Sequence, residues 1–228
     1  MTKLASYTPL RTLPLQICEQ IAQSILEGMF MPGERLREVE LAESFNVSRA
    51  TIRESLRLLE QRGLVRILPQ RGAHVTKLSA KELDDLFEIR ASLLATGSRL
   101  AATRCGKDEE EKLMQHLARL SKSTGDVHAY VSASWAMIDC IVEISGNDVL
   151  RHYVSDFAQR IGRYVRMGLV TEERRKQSLA SWTRLVKAMV RGDGDAAESI
   201  HRTLALNNRQ AALKVFLADE AKRKQPAN

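Results

Sequence analysis

The chain has 228 residues, 44% hydrophobic and 28% charged, with a net charge of +7; this is enough apolar material for one large or two small cored domains and excludes a disordered chain. No apolar run approaches the roughly 20 residues of a bilayer-spanning helix, and the stretch 1–9 lacks the apolar core of a secretory signal, so a cytoplasmic protein without a membrane partner is expected. Cys18, Cys105 and Cys140 are odd in number and far apart, which argues against a disulfide framework or a Cys-x-x-Cys metal knuckle and favours buried small apolar residues.

In chain order, Ile17, Ile21 and Ile25 recur every four residues and stop at Gly28, predicting a helix over 14–27, with Pro32-Gly33 as a turn. Glu38 to Phe45 reads as a short helix with Leu41 and Phe45 on one face, and Asn46 stands where a tight turn wants a left-handed residue. Ser48 caps a third helix, whose inward stripe is Ile52, Leu56 and Leu59 and whose stop is Gly63. The period then changes. Residues 64–68 and 73–76 are strand-like runs joined by Pro69-Gln70-Arg71-Gly72, a hairpin. Three helices followed by a two-stranded wing predict a winged helix-turn-helix.

Beyond Ser79 the spacing is helical throughout. Ser79 and Glu82 have capping-box spacing and open a helix that ends near Gly106. Asp108 with Glu111 repeats the signal for a helix stopping by Gly125, and further helices fit 126–144, 148–167, 171–191 and 195–218. Six such helices make a bundle. The expected fold class is therefore mainly α, with an N-terminal winged helix-turn-helix over 1–77 and a C-terminal all-α helical bundle over 78–228.

Charge is uneven along this plan. Residues 1–47 carry a net −2, residues 48–77 a net +5, and 78–228 a mixed surface. Within the basic stretch Arg49, Arg53 and Arg57 lie four residues apart, one cationic stripe about 100° around the helix from the Ile52/Leu56/Leu59 face. A helix beginning Ser48-Arg49-Ala50-Thr51 can dock in a DNA major groove. Its amides and the Ser48 hydroxyl meet phosphate, Arg49 or Arg53 reaches guanine acceptors, and Ala50 and Thr51 allow close approach. Arg71-Gly72 at the hairpin tip is placed for backbone or minor groove. A solvated arginine face is the plainer reading of three arginines alone; the cap, the turn and the wing count against it.

The run Pro32-Gly33-Glu34-Arg35-Leu36, Glu40-Leu41-Ala42-Glu43, Val47-Ser48-Arg49, Ile52-Arg53-Glu54-Ser55-Leu56, Leu59-Glu60, Gly63-Leu64-Val65 and Arg71-Gly72 resembles the GntR-family DNA-binding domain over about residues 10–77. The resemblance implies that Arg49, Thr51, Arg53 and Gly72 fall at operator-contacting positions, with Ser48 and Arg71 beside them. Ala50-Thr51 stands where the family often has Thr-Pro, which implies a different base preference. An all-helical partner implies the FadR-like subfamily, whose FCD domain dimerises and holds a small effector; Arg90, Leu100-Ala101-Ala102, Ser145-Gly146-Asn147 and Ala188 before Asp193 match its landmarks.

Many FCD domains bind a divalent metal through one Asp and three His. Aligned on those landmarks, the four ligand positions fall on Ser134, Ile138, Trp182 and Leu204, so the ligands are replaced and no metal or other cofactor is expected. The five histidines contain no i,i+4 pair, and only a shifted register would bring in Asp139 or His201. The site is then apolar, and an effector is expected to be held by shape and by Arg90, Arg160 or Arg163. Trp135 and Trp182 also have a plain reading as core residues.

The leading expectation is a ligand-responsive transcriptional regulator, a repressor, binding a pseudo-palindromic operator in double-stranded DNA as a homodimer. An effector-blind constitutive or architectural DNA-binding protein is the alternative. An enzyme is not expected, because no nucleophile–base set, phosphate loop or Gly-rich dinucleotide turn is present.

Overall fold

The structure, a computed structural model, describes residues 11–224; the expectation about the stretch 1–9 lies outside them. The chain divides into two compact units, Met1–Lys77 and Leu78–Asn228.

The first unit holds α1 (Leu13–Glu27), β1 (Arg35–Leu36), α2 (Glu38–Phe45), α3 (Arg49–Gln61), β2 (Val65–Leu68) and β3 (Gly72–Val75). Ile17, Ile21 and Ile25 of α1 bury against Ile52, Leu56 and Leu59 of α3, together with Leu36, Leu41 and Val75. One polar group is locked into this core: the buried Ser55 hydroxyl lies 2.9 Å from both the Pro14 and the Thr51 carbonyls, tying α3 to the start of α1. The sheet is antiparallel in the order β1-β3-β2, with Val65 opposite Val75 and Leu36 opposite Ala73. The wing therefore has a third strand that the sequence pattern did not reveal. Two residues are too few to show alternation, and β1 exists because β3 offers it a free edge.

The second unit is a bundle of α4 (Ala80–Ala102), α5 (Lys107–Lys122), α6 (Val127–Ile144), α7 (Asp148–Met167), α8 (Glu172–Val190) and α9 (Gly194–Lys224). Its core runs through Phe87, Leu113, Leu120, Tyr130, Met137, Ile161 and Leu185. α4 and α9 run antiparallel and are cross-linked along their length: Asp84 accepts two hydrogen bonds from Arg209, Ser92 one from Arg202, Ser98 meets His201, and Glu198 accepts one from Arg99. The Arg209 bonds hold the Asp84 carboxyl below the ordinary carboxylate range. α6 reaches a mean hydropathy of 1.2 over 18 residues, as apolar as a short membrane span. Its apolar residues Tyr130, Ala133, Met137 and Ile141 instead form bundle core.

Local starts follow capping chemistry. Ser79 and Glu82 form the reciprocal box at the head of α4, and Asn147 accepts from the Leu150 amide at the head of α7. The start of α5 differs from the expected one: Gly106 is the cap and its amide donates to Glu109 at 3.1 Å, two residues ahead of the Asp108/Glu111 pair. α4 also ends at Ala102 rather than near Gly106, and α9 begins at Gly194 and runs six residues past the expected Ala218.

Candidate nucleic-acid interface and effector cavity

In the winged unit α2 and α3 are joined by a turn in which Asn46 is left-handed (φ 51°, ψ 50°), as its position in the sequence demanded. Ser48 caps α3 by accepting from the Thr51 amide at 3.1 Å, and the two hydroxyls lie 2.8 Å apart. The exposed face of α3 carries Arg49, Arg53 and Arg57, about 100° around the helix from the buried Ile52/Leu56/Leu59 stripe. Ala50 is exposed beside Arg49.

The three arginines are not equivalent. Arg53 points back to α2 and donates to both oxygens of Glu38, at 2.9 and 3.3 Å. No hydrogen bond or ion pair to another described residue holds the side chains of Arg49 and Arg57. The Arg53–Glu38 pair is more than half exposed on the arginine side, where water screens the two charges, so Arg53 exchanges partners at little cost.

At the wing tip Arg71 is exposed and its amide bonds the Leu68 carbonyl at 3.1 Å. Both Gln70 (φ 59°) and Gly72 (φ 83°) take the left-handed conformation, so the turn needs two such residues rather than Gly72 alone. Arg35 on β1 lies against Gly72, within 3.6 Å of where a Cβ there would sit. It adds a cation to the wing that the sequence reading passed over, because β1 itself was invisible.

In the helical unit a cavity lies between five helices, with about 410 Å³ of space including its open mouth. Arg90 and Leu94 of α4, Ser134 and Ile138 of α6, Trp182 of α8 and Leu204 of α9 all line it. Five residues expected from sequence as effector contacts, Arg90, Ser134, Ile138, Trp182 and Leu204, are thus brought together. Arg163 is the exception. It stacks on the Tyr164 ring at 5.6 Å and does not reach the cavity, since Val165, about 200° further around α7, is the residue that faces it. Arg160 is likewise outside the lining. Sequence reasoning missed Arg174 and Asn208, whose spacing carries no motif.

Arg90 is 7% exposed, and its guanidinium has no hydrogen-bond acceptor or carboxylate among the described residues. Its one stabilising neighbour is the face of Trp135, at 5.2 Å. Burial pulls its pKa down to about 10, which still leaves it charged at neutral pH. His201, 1% exposed, lies 2.6 Å from the Ser98 hydroxyl and edge-on to Trp182. Burial, and secondarily the Arg90 charge, pulls its pKa down to about 3, so the ring is neutral. The buried Nε of Arg174 and Oδ1 of Asn208 also lack partners. The Asn208 amide nitrogen is engaged with the Val165 carbonyl at 3.1 Å. Gly168 is required there: a Cβ would sit 2.4 Å from that nitrogen and 2.6 Å from the Asn208 carbonyl oxygen.

Comparison with known families places both units. The model for bacterial regulatory proteins of the gntR family matches residues 13–75, and the FCD domain model matches 85–206, more than half of the chain. The chain belongs to the gntR family, with an FCD domain.

This gntR-family chain is 38% identical over 109 residues to the uncharacterized HTH-type transcriptional regulator YdhC of Bacillus subtilis, covering 48% of this chain and 49% of that one. It is 32% identical over 117 residues to the HTH-type transcriptional repressor RspR of Escherichia coli, 51% of each. The chain thus spans about half the length of these relatives. In fold it is similar to E. coli McbR/YncC, with a TM-score of 0.77 at 19% identity over 91% of this chain and all of the other. A GntR regulator from Rhodococcus sp. RHA1 has a TM-score of 0.70 at 19% identity, over 90% and 98% of the two chains.

The divalent metal of many FCD domains does not fit the residues present here. His201 is the sole imidazole in the lining, no carboxylate accompanies it, and the Arg90 cation lies beside it. Among the described residues no three His, Cys, Asp or Glu side chains come together as a ligand set, and Asp139 neighbours His116 rather than the cavity.

Proposed function

We propose that this chain is a DNA-binding transcriptional regulator, a repressor, that acts as a homodimer on a pseudo-palindromic operator and responds to a small metabolite held in the FCD cavity. The observation that carries the reading is the head of α3. A capped helix N-terminus presents an unpaired arginine, Arg49, beside the small Ala50 and above a fully buried apolar face. In the docked complex the α3 amides and Ser48 meet phosphate, and Arg49 pairs with a guanine edge. Arg53 takes a second base or phosphate. Thr51, engaged with Ser48, fixes the helix start, and Arg71 with Arg35 reaches the flanking backbone while Gly72 shapes the wing tip. A dimer doubles this reader, and the two half-sites mirror the protein's symmetry.

The function requires no catalysis, metal or other cofactor. Ligand binding in the helical unit favours one of two arrangements of the dimer and so changes operator affinity. The test is to incubate the protein with fragments of its own genome, recover bound DNA at moderate salt and sequence it beside an Arg49→Ala control. Enrichment of a two-fold-symmetric site, lost in the control, is expected. Salt-sensitive capture without an enriched site contradicts the reading, since only the electrostatic component of binding would then be present.

A further inference from the structure

We infer that Glu38 is a specificity-determining residue of the DNA-reading face: it stays paired with Arg53 in the operator complex and aims the outer edge of that guanidinium at a guanine. This rests on the reading of α3 as the operator-binding helix.

The geometry of the pair carries the inference. A guanidinium is a planar fork of five N–H groups, with a side edge and an end edge that can each make two parallel hydrogen bonds. Glu38 fills only the side edge, accepting from Nε at 3.3 Å and from Nη2 at 2.9 Å. The end edge, formed by Nη1 and the second hydrogen of Nη2, has no acceptor among the described residues. Guanine presents two acceptors, O6 and N7, at a spacing that such an edge matches. Arg53 can therefore read a base without leaving Glu38.

The carboxylate is itself well placed to hold the plane. Glu38 is the first residue of α2, where the helix dipole favours an anion, and Arg53 stands roughly 6 Å along α3 from Arg49. A guanidinium held in one plane docks without losing the rotamer freedom that a loose arginine gives up on binding. In the free protein water screens the pair and it opens readily. DNA changes that balance. The first helix of a helix-turn-helix crosses the phosphate backbone, so an Arg53 that left Glu38 would turn a bare carboxylate towards a polyanion. The closed pair has no net charge and adds nothing to the general attraction for phosphate; it contributes only where a guanine meets its end edge.

The test uses the full-length parent, Glu38→Ala, Glu38→Gln, Arg53→Ala and the Glu38→Ala/Arg53→Ala double variant. Each protein selects from a library of short duplexes with a randomised centre, and the duplex most enriched by the parent is titrated beside a scrambled one. Because the pair is largely exposed, Glu38→Ala should melt with the parent. It should bind the scrambled duplex more tightly, with a slope of log K against log salt steeper by about 1 per protomer, since a cation has been freed. Its ratio of enriched to scrambled affinity should fall about tenfold per half-site, and its selected motif should lose the preference for guanine at the position that Arg53→Ala also loses. Glu38→Gln, which keeps the shape and one acceptor, should fall between the parent and Glu38→Ala. In the Arg53→Ala background, loss of Glu38 should change the ratio by about twofold or less.

Equal tightening of Glu38→Ala on both duplexes would overturn the inference, because Glu38 would then be only a competitor that DNA displaces. So would an unchanged motif in Glu38→Ala, or an effect of Glu38 that persists without Arg53. If the parent enriches no duplex, the regulator reading fails and the inference falls with it. A motif that is lost in Arg49→Ala but intact in Glu38→Ala fails the inference alone.

Discussion

At the residue scale, His201 links the cavity to pH. The unfolded imidazole titrates near 6.5, whereas the folded one titrates near 3 because it is buried and faces Arg90. Between these values the unfolded chain binds the extra proton. This contribution to stability is therefore whole above pH 6.5 and falls as the pH drops towards 3. From pH 7 to pH 5 the loss from this one group is about 2 kcal/mol. Urea titrations at the two pH values should show it, and His201→Gln should remove most of the difference; an undiminished slope in that variant would place the effect elsewhere. On the winged unit, Arg57 is expected to contact phosphate only. Arg57→Ala should weaken binding to every sequence alike and lower the slope of log K against log salt by about 1 per protomer. A changed base preference in that variant would show that it reads sequence.

At the element scale, much of the molecule was legible in advance. The three isoleucines of α1, the Asn46 turn, the Ser48 cap and the Ser79/Glu82 box each name their element through local physics, whereas the ends of α4 and α9 differ from the expected ones by four and six residues. What was not legible is tertiary. β1 exists through its pairing with β3, and the partnership of Arg53 with Glu38 crosses two helices. The cavity was legible for a different reason: the resemblance put Ser134, Ile138, Trp182 and Leu204 at one site, while the unpartnered Oδ1 of Asn208 emerges only once Gly168 admits it. Arg175 is the clearest unannounced element. It is 5% exposed and donates to the carbonyls of Thr124, Leu169 and Val170 at 2.6–2.9 Å, fastening the segments before α6 and α8. Arg175→Met should leave these carbonyls without their donor and destabilise the helical unit by about 3 kcal/mol, read by denaturant unfolding. A loss under 0.5 kcal/mol would show that water replaces the guanidinium.

At the scale of the whole molecule, two chemistries are kept in two compact units. The basic excess of the winged unit falls on residues 48–77, which include the α3 face and the wing, and the helical unit buries two guanidiniums, Arg90 and Arg175. Regulation requires this division, because the reader must stay complementary to DNA while the sensor changes its occupancy. On the proposed function, the head of α3 reads bases rather than merely attracting phosphate. The most direct test of this is a fluorescence-anisotropy titration of the parent and of Arg49→Ala, at one fixed salt concentration, against the recovered site and a scrambled duplex. Loss of Arg49 should cost about 1–3 kcal/mol per half-site on the recovered site and much less on the scrambled one, so the ratio of the two affinities collapses. Equal weakening on both duplexes would contradict the claim and reduce Arg49 to a phosphate contact.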